Sequence, residues 1–242
     1  MSIADKLTQI AENGQKIYDA GKKAEYDAFW DGYQLEGKRI DYQYAFGSVG
    51  WNDETFKPKY DIILGVGVTG SYTFWCCGVS NLKEALDKRG VKLDTSKCKY
   101  MHSFLRSARC VEVPTIDLSE CSNSTGTASC FSSTYLITIE KIVFSKTTNI
   151  SPTMFQNATS LQNVVCEGVI AKSINFGASL LLTAESMKSI ITHLKNYAGT
   201  GDEYSQKLTV PSDAWERLET DSTAPDGGTW KDYVKYTLCW NI

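Results

Sequence analysis

The chain has no uninterrupted apolar run of about 18 residues, so the sequence predicts no membrane-spanning helix. It has no excess of one charge sign either. Lys plus Arg number 25 and Asp plus Glu 28, a net charge of −3, which predicts no general attraction to nucleic acid or anionic lipid. The opening residues Met1 to Lys6 are polar and carry no apolar segment, so no secretory signal is expected. Histidine is scarce: His102 and His193 are the two present. Neither has a second histidine four residues on or a Cys-x-x-Cys beside it, which argues against zinc. The nucleophile elbow G-x-S-x-G and the phosphate loop G-x-x-x-x-G-K-[ST] are both missing. Eight cysteines are present, spaced too loosely for a disulfide scaffold; with no export signal they read as reduced, mostly buried thiols. Cys76 and Cys77 are adjacent, whereas a redox pair is usually Cys-x-x-Cys.

The sequence does contain a repeat, running from about Leu93 to Val169. Leu93-Asp94-Thr95-Ser96-Lys97-Cys98 and Ile116-Asp117-Leu118-Ser119-Glu120-Cys121 share one pattern at an offset of 23 residues. A second pattern follows each phrase, in three sets of residues spaced three apart: Phe104, Ser107, Cys110, Val113; then Cys130, Ser133, Leu136, Ile139; then Phe155, Ala158, Leu161, Val164. After each set comes a short strand-like segment: Ile116-Asp117-Leu118, Ile142-Val143-Phe144 and Glu167-Gly168-Val169. A period in the twenties with one short strand per unit is what a leucine-rich-repeat solenoid requires. One such unit cannot bury its apolar edge alone, but stacked units share a core. Cys98 and Cys121 fall at equivalent positions, which predicts a ladder of small buried side chains.

The flanks differ from the repeats. Residues 1–31 predict a helix whose Ile3, Leu7, Ile10, Gly14, Ile17, Gly21, Ala24 and Ala28 alternate in steps of four and three. That is a coiled-coil seam or, equally, the buried stripe of one amphipathic helix. Ile3, Leu7, Ile10 and Ile17 are its candidate oligomerisation or docking residues, and a trimer is the expected homo-oligomer. Residues 32–73 form an aromatic, loop-rich connector broken by glycines, read mainly as a local core. Repeats are expected over 74–178, with Phe74 and Cys77 opening a degenerate terminal unit. Residues 179–242 predict an α/β cap. Its parts are a helix with Thr183 as N-cap, a strand at Leu208-Thr209-Val210, a helix capped by Ser212, a loop over 220–228, a third helix from Trp230 to Tyr236, and a closing strand from Tyr236 to Ile242. Just after Phe74 and Cys77, Ser80 is expected to cap a short helix that runs from Asn81 to Arg89. The fold class is therefore α/β: a short repeat solenoid between an N-terminal helix and an α/β C-terminal cap.

Gly65-Val66-Gly67-Val68-Thr69-Gly70 matches G-x-G-x-x-G after the apolar Ile62-Ile63-Leu64. A dinucleotide site needs a helix opening there and an acidic residue ending the next strand. The next residues are instead the β-prone Ser71-Tyr72-Thr73-Phe74-Trp75, and Asp87 falls in a predicted helix, so these glycines read as a turn. No cofactor, metal or catalytic residue is expected, and the chain reads as no enzyme. A nucleotide-binding enzyme built on Gly65–Gly70 stays as an alternative that a thermal-shift screen would test.

Phe155-Gln156-Asn157-Ala158-Thr159-Ser160-Leu161-Gln162-Asn163-Val164 resembles the F-x-x-C/A-x-x-L-x-x-I/V unit of bacterial surface-antigen-type leucine-rich repeats, and Ile116 to Cys121 resembles the start of their strand. The likeness covers about 100 residues, from Phe74 to Phe176. The N-terminal Ala4 to Trp30, with Trp51-Asn52-Asp53-Glu54-Thr55-Phe56, is similar to leucine-rich-repeat proteins encoded by phages and prophages of gut bacteria. The resemblance implies a phage virion component, associated with tail or fibre, that presents its repeat surface to other virion proteins or a host receptor. Tyr100, His102, Arg106 and Tyr135, at variable repeat positions, are the candidate binding residues. A host-bacterial cytoplasmic interaction module or effector of the same architecture remains the alternative. No nucleic-acid partner or membrane insertion is expected in either case.

Overall fold

The computed structural model describes residues 39–40, 45–48, 50–64 and 70–242. The predicted N-terminal helix with Ile3, Leu7, Ile10 and Ile17, connector residues 32–38, 41–44 and 49, and Gly65 to Thr69 lie outside the described residues.

The described chain mixes helices with parallel sheet. Strand β1 (Arg39–Ile40) pairs with β2 (Ile62–Leu64), and β2 with β3 (Leu93–Asp94). β4 (Glu112–Val113) and β5 (Ile116–Asp117) both pair with β6 (Thr138–Phe144), which pairs with β7 (Asn163–Gly168). β8 (Ile174–Asn175) pairs with β9 (Leu208–Thr209). Every pairing among the described residues is parallel, including the isolated bridges Asn52–Gly78, Asn81–Glu112, Ile170–Leu194 and Lys207–Asn241. Parallel neighbours require the chain to travel away and return between strands, so the molecule is laid down in successive passes. Pro114, which has no N–H to give, stands between β4 and β5 and interrupts what would be one strand. β6 runs through the same level as a single strand, and its register against β7 shifts between Ile139 and Ile142.

A second row of hydrogen bonds joins the passes away from the strands. Gly70, Tyr72, Phe74 and Cys76 donate their N–H groups to the carbonyls of Tyr100, His102, Phe104 and Arg106. One pass later Met101, Ser103, Leu105 and Ser107 donate to Gly126, Ala128, Cys130 and Ser132. Within each pass these segments are chains of tight turns, such as Trp75 N–H to Tyr72 O and Arg106 N–H to Ser103 O. Side-chain bonds repeat the spacing: Ser133 Oγ donates to Ala108 O at 25 residues and Ser145 Oγ to Ser119 O at 26.

The core lies between the two rows as one contiguous cluster from Ala45 to Trp240. All twelve residues of the three sequence sets are buried except Ser107, which is exposed; the adjacent Ala108 fills that level instead. Phe131 stacks on Phe155 at 5.3 Å and Phe155 on Phe176 at 4.2 Å between ring centroids. At the other end Phe46, Trp51 and Phe56 close around Phe74. Of the described connector aromatics, Phe46, Trp51 and Phe56 serve as local core, whereas Tyr60 is 38% exposed and Tyr72 half-buried. Asp94 and Asp117 form matching turns, each accepting the N–H two residues on, and Cys121 Sγ donates to Cys98 O at 3.2 Å.

The exposed edge of β7 is closed by a helix. α2 (Ala184–Thr192) places Ser186 Oγ at 2.9 Å to accept from Val164 N–H, and Ser189 Oγ at 2.8 Å to accept from Cys166 N–H. Spaced three apart on one helix face, the two serines satisfy donors that would otherwise invite another strand. Ser186→Ala leaves the buried Val164 N–H unpaired, and a loss of about 2 kcal/mol is expected in urea unfolding.

Several local expectations need correction. The helix before β3, α1 (Leu82–Asp87), is capped by Asn81 rather than Ser80, because Ser80 gives both N–H and hydroxyl to the Asp53 carboxylate. Thr183 caps α2 as expected. The helix ends at Thr192, and Leu194 beyond it makes the bridge to Ile170. α3 (Ser212–Asp221) has Pro211 at its N-cap and Ser212 as its first residue. It also extends past Thr220, where the sequence predicts a loop. α4 (Trp230–Asp232) leads into a π-helical turn over Tyr233–Thr237. The closing strand is reduced to the single bridge at Asn241, since Cys239 takes a left-handed φ of 58° and Trp240 N–H donates to Val234 O.

Candidate functional site: the turn surface

Non-glycine residues in the left-handed region recur along the turn row: Tyr72 at 58°, Cys76 at 55°, Ser103 at 53°, Ser107 at 57° and Ser129 at 53°. Each costs about 1 kcal/mol against ordinary backbone. The inter-pass hydrogen bonds hold them there, and equivalent positions of neighbouring passes share the geometry.

This row carries a group of rings and one guanidinium. Tyr72 meets His102 from the next pass at 5.1 Å between centroids and Trp75 edge-on at 6.3 Å. Trp75 and Tyr100 are each 37% exposed, Arg106 is exposed and His102 half-buried. Of the four sequence candidates, Tyr100, His102 and Arg106 therefore share one pass. Tyr135, 52% exposed, lies on the following pass beyond its turns, its N–H resting on Ser133 Oγ at 3.3 Å. No hydrogen bond or ring contact joins the Tyr135 side chain to the other three among the described residues.

Sequence patterning alone does not single out Tyr72 and Trp75. Tyr72 is half-buried and Trp75 exposed beside the buried Ser71, Thr73 and Phe74, and their pass meets the next at an offset of 30 residues, Tyr72 to His102, which falls outside the regular interval. The strand row offers a different surface. There Lys141 pairs with Glu167 at 2.6 Å and Lys83 approaches Glu140 at 3.6 Å. The hydrogen bond from Lys141 holds the Glu167 carboxyl below its usual range and raises the lysine. Those charges already satisfy each other, whereas the turn row presents amphipathic rings of the kind that dominate recognition.

The glycine motif is described only at its end. Gly70 donates to Tyr100 O at 2.7 Å, and a Cβ there would crowd Met101 Sδ and Cys98 Sγ. Turns rather than a helix come after it, and Asp87 pairs with Lys83 inside α1. Gly70 thus works as a close-packing point between passes.

All eight cysteines are unpaired, and all but Cys76 are buried. Burial pushes the Cys77 and Cys166 thiols up from an ordinary 9.0 to about 12, and raises Cys110, Cys121 and Cys130 as well. Folded thiols therefore keep their protons to higher pH than unfolded ones. The stability this contributes is complete below 9.0 and is lost as pH rises through about 12. Urea midpoints are expected to hold from pH 7 to 8.5 and to fall by pH 10.5, with Cys76 alone reacting quickly with a thiol reagent at pH 8. No group of three or more metal-binding side chains is present among the described residues, and no described helix is long and apolar enough to cross a membrane. Comparison with protein-family models, with curated proteins and with solved structures gave no match.

Proposed function

We propose that the chain is a short leucine-rich-repeat solenoid acting as a non-enzymatic phage virion component, associated with tail or fibre, that recognises a protein or receptor through its repeat surface. The observation that carries the reading is the turn row: passes joined at offsets of 30 residues (Tyr72 to His102) and then 25 (Met101 to Gly126), with Tyr72, Trp75, Tyr100, His102 and Arg106 gathered on adjoining passes. Parallel pairing throughout the described residues and one shared core support the repeat architecture. The longer intervals at the two ends, 31 residues at Asn81–Glu112 and 33 at Ser173–Gln206, fit atypical terminal units. Residues 2–30 would assemble the chain or dock it on the particle.

Mass spectrometry of purified particles from the encoding phage or induced prophage tests the reading. Peptides of this chain in stoichiometric amount are expected; their confinement to the host cytosol would overturn it in favour of a cytoplasmic interaction module. In particles that do carry it, Tyr100→Ala with Arg106→Ala is expected to weaken attachment about tenfold or more without changing particle yield. Light scattering on the whole chain and on one lacking residues 2–30 tests the assembly role, a trimer falling to a monomer being the expected result.

A further inference from the structure

The geometry points to a binding site for a small phosphate-type oxyanion where successive passes leave the strand row near the C-terminal end. Lys146 lies just past Phe144 at the end of β6, Lys172 just past the Ile170 bridge and Lys195 directly after its partner Leu194. Neighbouring passes are hydrogen-bonded here, Val169 N–H to Phe144 O and Lys195 N–H to Ile170 O, so the three lysines are brought to one place from three levels. They line a cavity of about 290 Å³ whose wall includes Tyr197, Ser205 and Gln206. Asp202 is the one carboxylate in the lining. None of the three lysines is ion-paired among the described residues, although lysines elsewhere on this chain of net charge −3 are paired at Lys83, Lys88, Lys141 and Lys188.

The wall is built and fixed. Tyr197 hydroxyl donates to Ala171 O at 2.6 Å, and Lys195 Nζ stands 4.3 Å from the Tyr197 ring centroid. Trp240 Nε1 donates to Lys195 O at 2.7 Å, tying that backbone to the core. Gln206 Oε1 accepts from Ser173 N–H at 2.8 Å while its amide donates to Ser205 Oγ, which orients the polar rim. Three lysines lining a small polar hollow suit a multiply charged tetrahedral oxyanion, because lysine binds as a point charge without the planar fork of arginine. Two of the three are exposed, so solvent weakens the attraction and an affinity of about 1 mM is expected.

Amide shifts of the full chain, followed by NMR during separate titrations with inorganic phosphate and glycerol 3-phosphate, test the site, with sodium acetate as control. Saturable shifts at Lys172, Lys195, Ser205 and Gln206 are expected with phosphate. Lys172→Gln, an exposed change that leaves the core intact, is expected to weaken binding about fivefold, and Lys97→Gln, outside the cavity, to leave it unchanged. Tighter binding of the ester would assign the site to a phosphate group carried on a larger molecule; equal or weaker binding would assign it to the free ion. Shifts that do not saturate, or an equal loss in Lys97→Gln, would overturn the site.

Discussion

Phe155→Ala is expected to lower the free energy of unfolding by about 4 kcal/mol, read from guanidinium denaturation. Phe155 is 1% exposed and stacks on Phe131 to one side and Phe176 to the other, so its ring spans three passes at once. Truncation removes the transfer free energy of a buried ring and opens a cavity whose walls are held by hydrogen bonds on both rows, leaving little room to collapse. Phe155→Leu keeps most of the volume and should cost about half as much. A loss below about 1 kcal/mol for Phe155→Ala would show that the passes are not packed on one another through this ring.

Gly168→Ala is expected to cost about 3 kcal/mol although the position is exposed. Its φ is +81°, where a side chain is strained, and a Cβ there would overlap the Phe144 carbonyl. Gly168 ends β7 in register with Phe144 at the end of β6, and the next N–H, from Val169, donates to that same carbonyl. The substitution therefore forces the two longest strands apart at one end. Gly199→Ala, also at positive φ but with open space around its Cβ position, is the matched comparison and should cost only about 1 kcal/mol. Equal losses at the two sites would mean that backbone preference, not the close approach, sets the effect.

How far these features are legible in the sequence depends on whether local sequence or distant contact fixes them. The apolar sets at intervals of three become core because their spacing matches the turn chain itself, and one level slips, Ala108 for Ser107, where the unit lengths change. The paired phrases around Asp94 and Asp117 become equivalent turns because an aspartate two residues before a serine closes the same local ring in both. By contrast, the Ser80 cap is lost to Asp53, 27 residues away, and the closing strand to Trp240, whose indole reaches Lys195 across 45 residues. Tyr236 to Ile242 has the composition of a strand, and tertiary contacts override it. In the candidate site, Tyr100, Arg106 and Tyr135 are exposed, while Tyr72 meets His102, and Trp75 meets Tyr72, only through an irregular interval.

The stacking of parallel passes underlies both the proposed recognition surface and the proposed oxyanion site, and amide NOEs between β6 and β7 test it most directly. Register-matched contacts of Thr138 with Asn163, Ile142 with Cys166 and Phe144 with Gly168, all running in one direction, are the expected result. Contacts whose order reverses along the strand, or none between these segments, would contradict the stack and remove the basis for both sites.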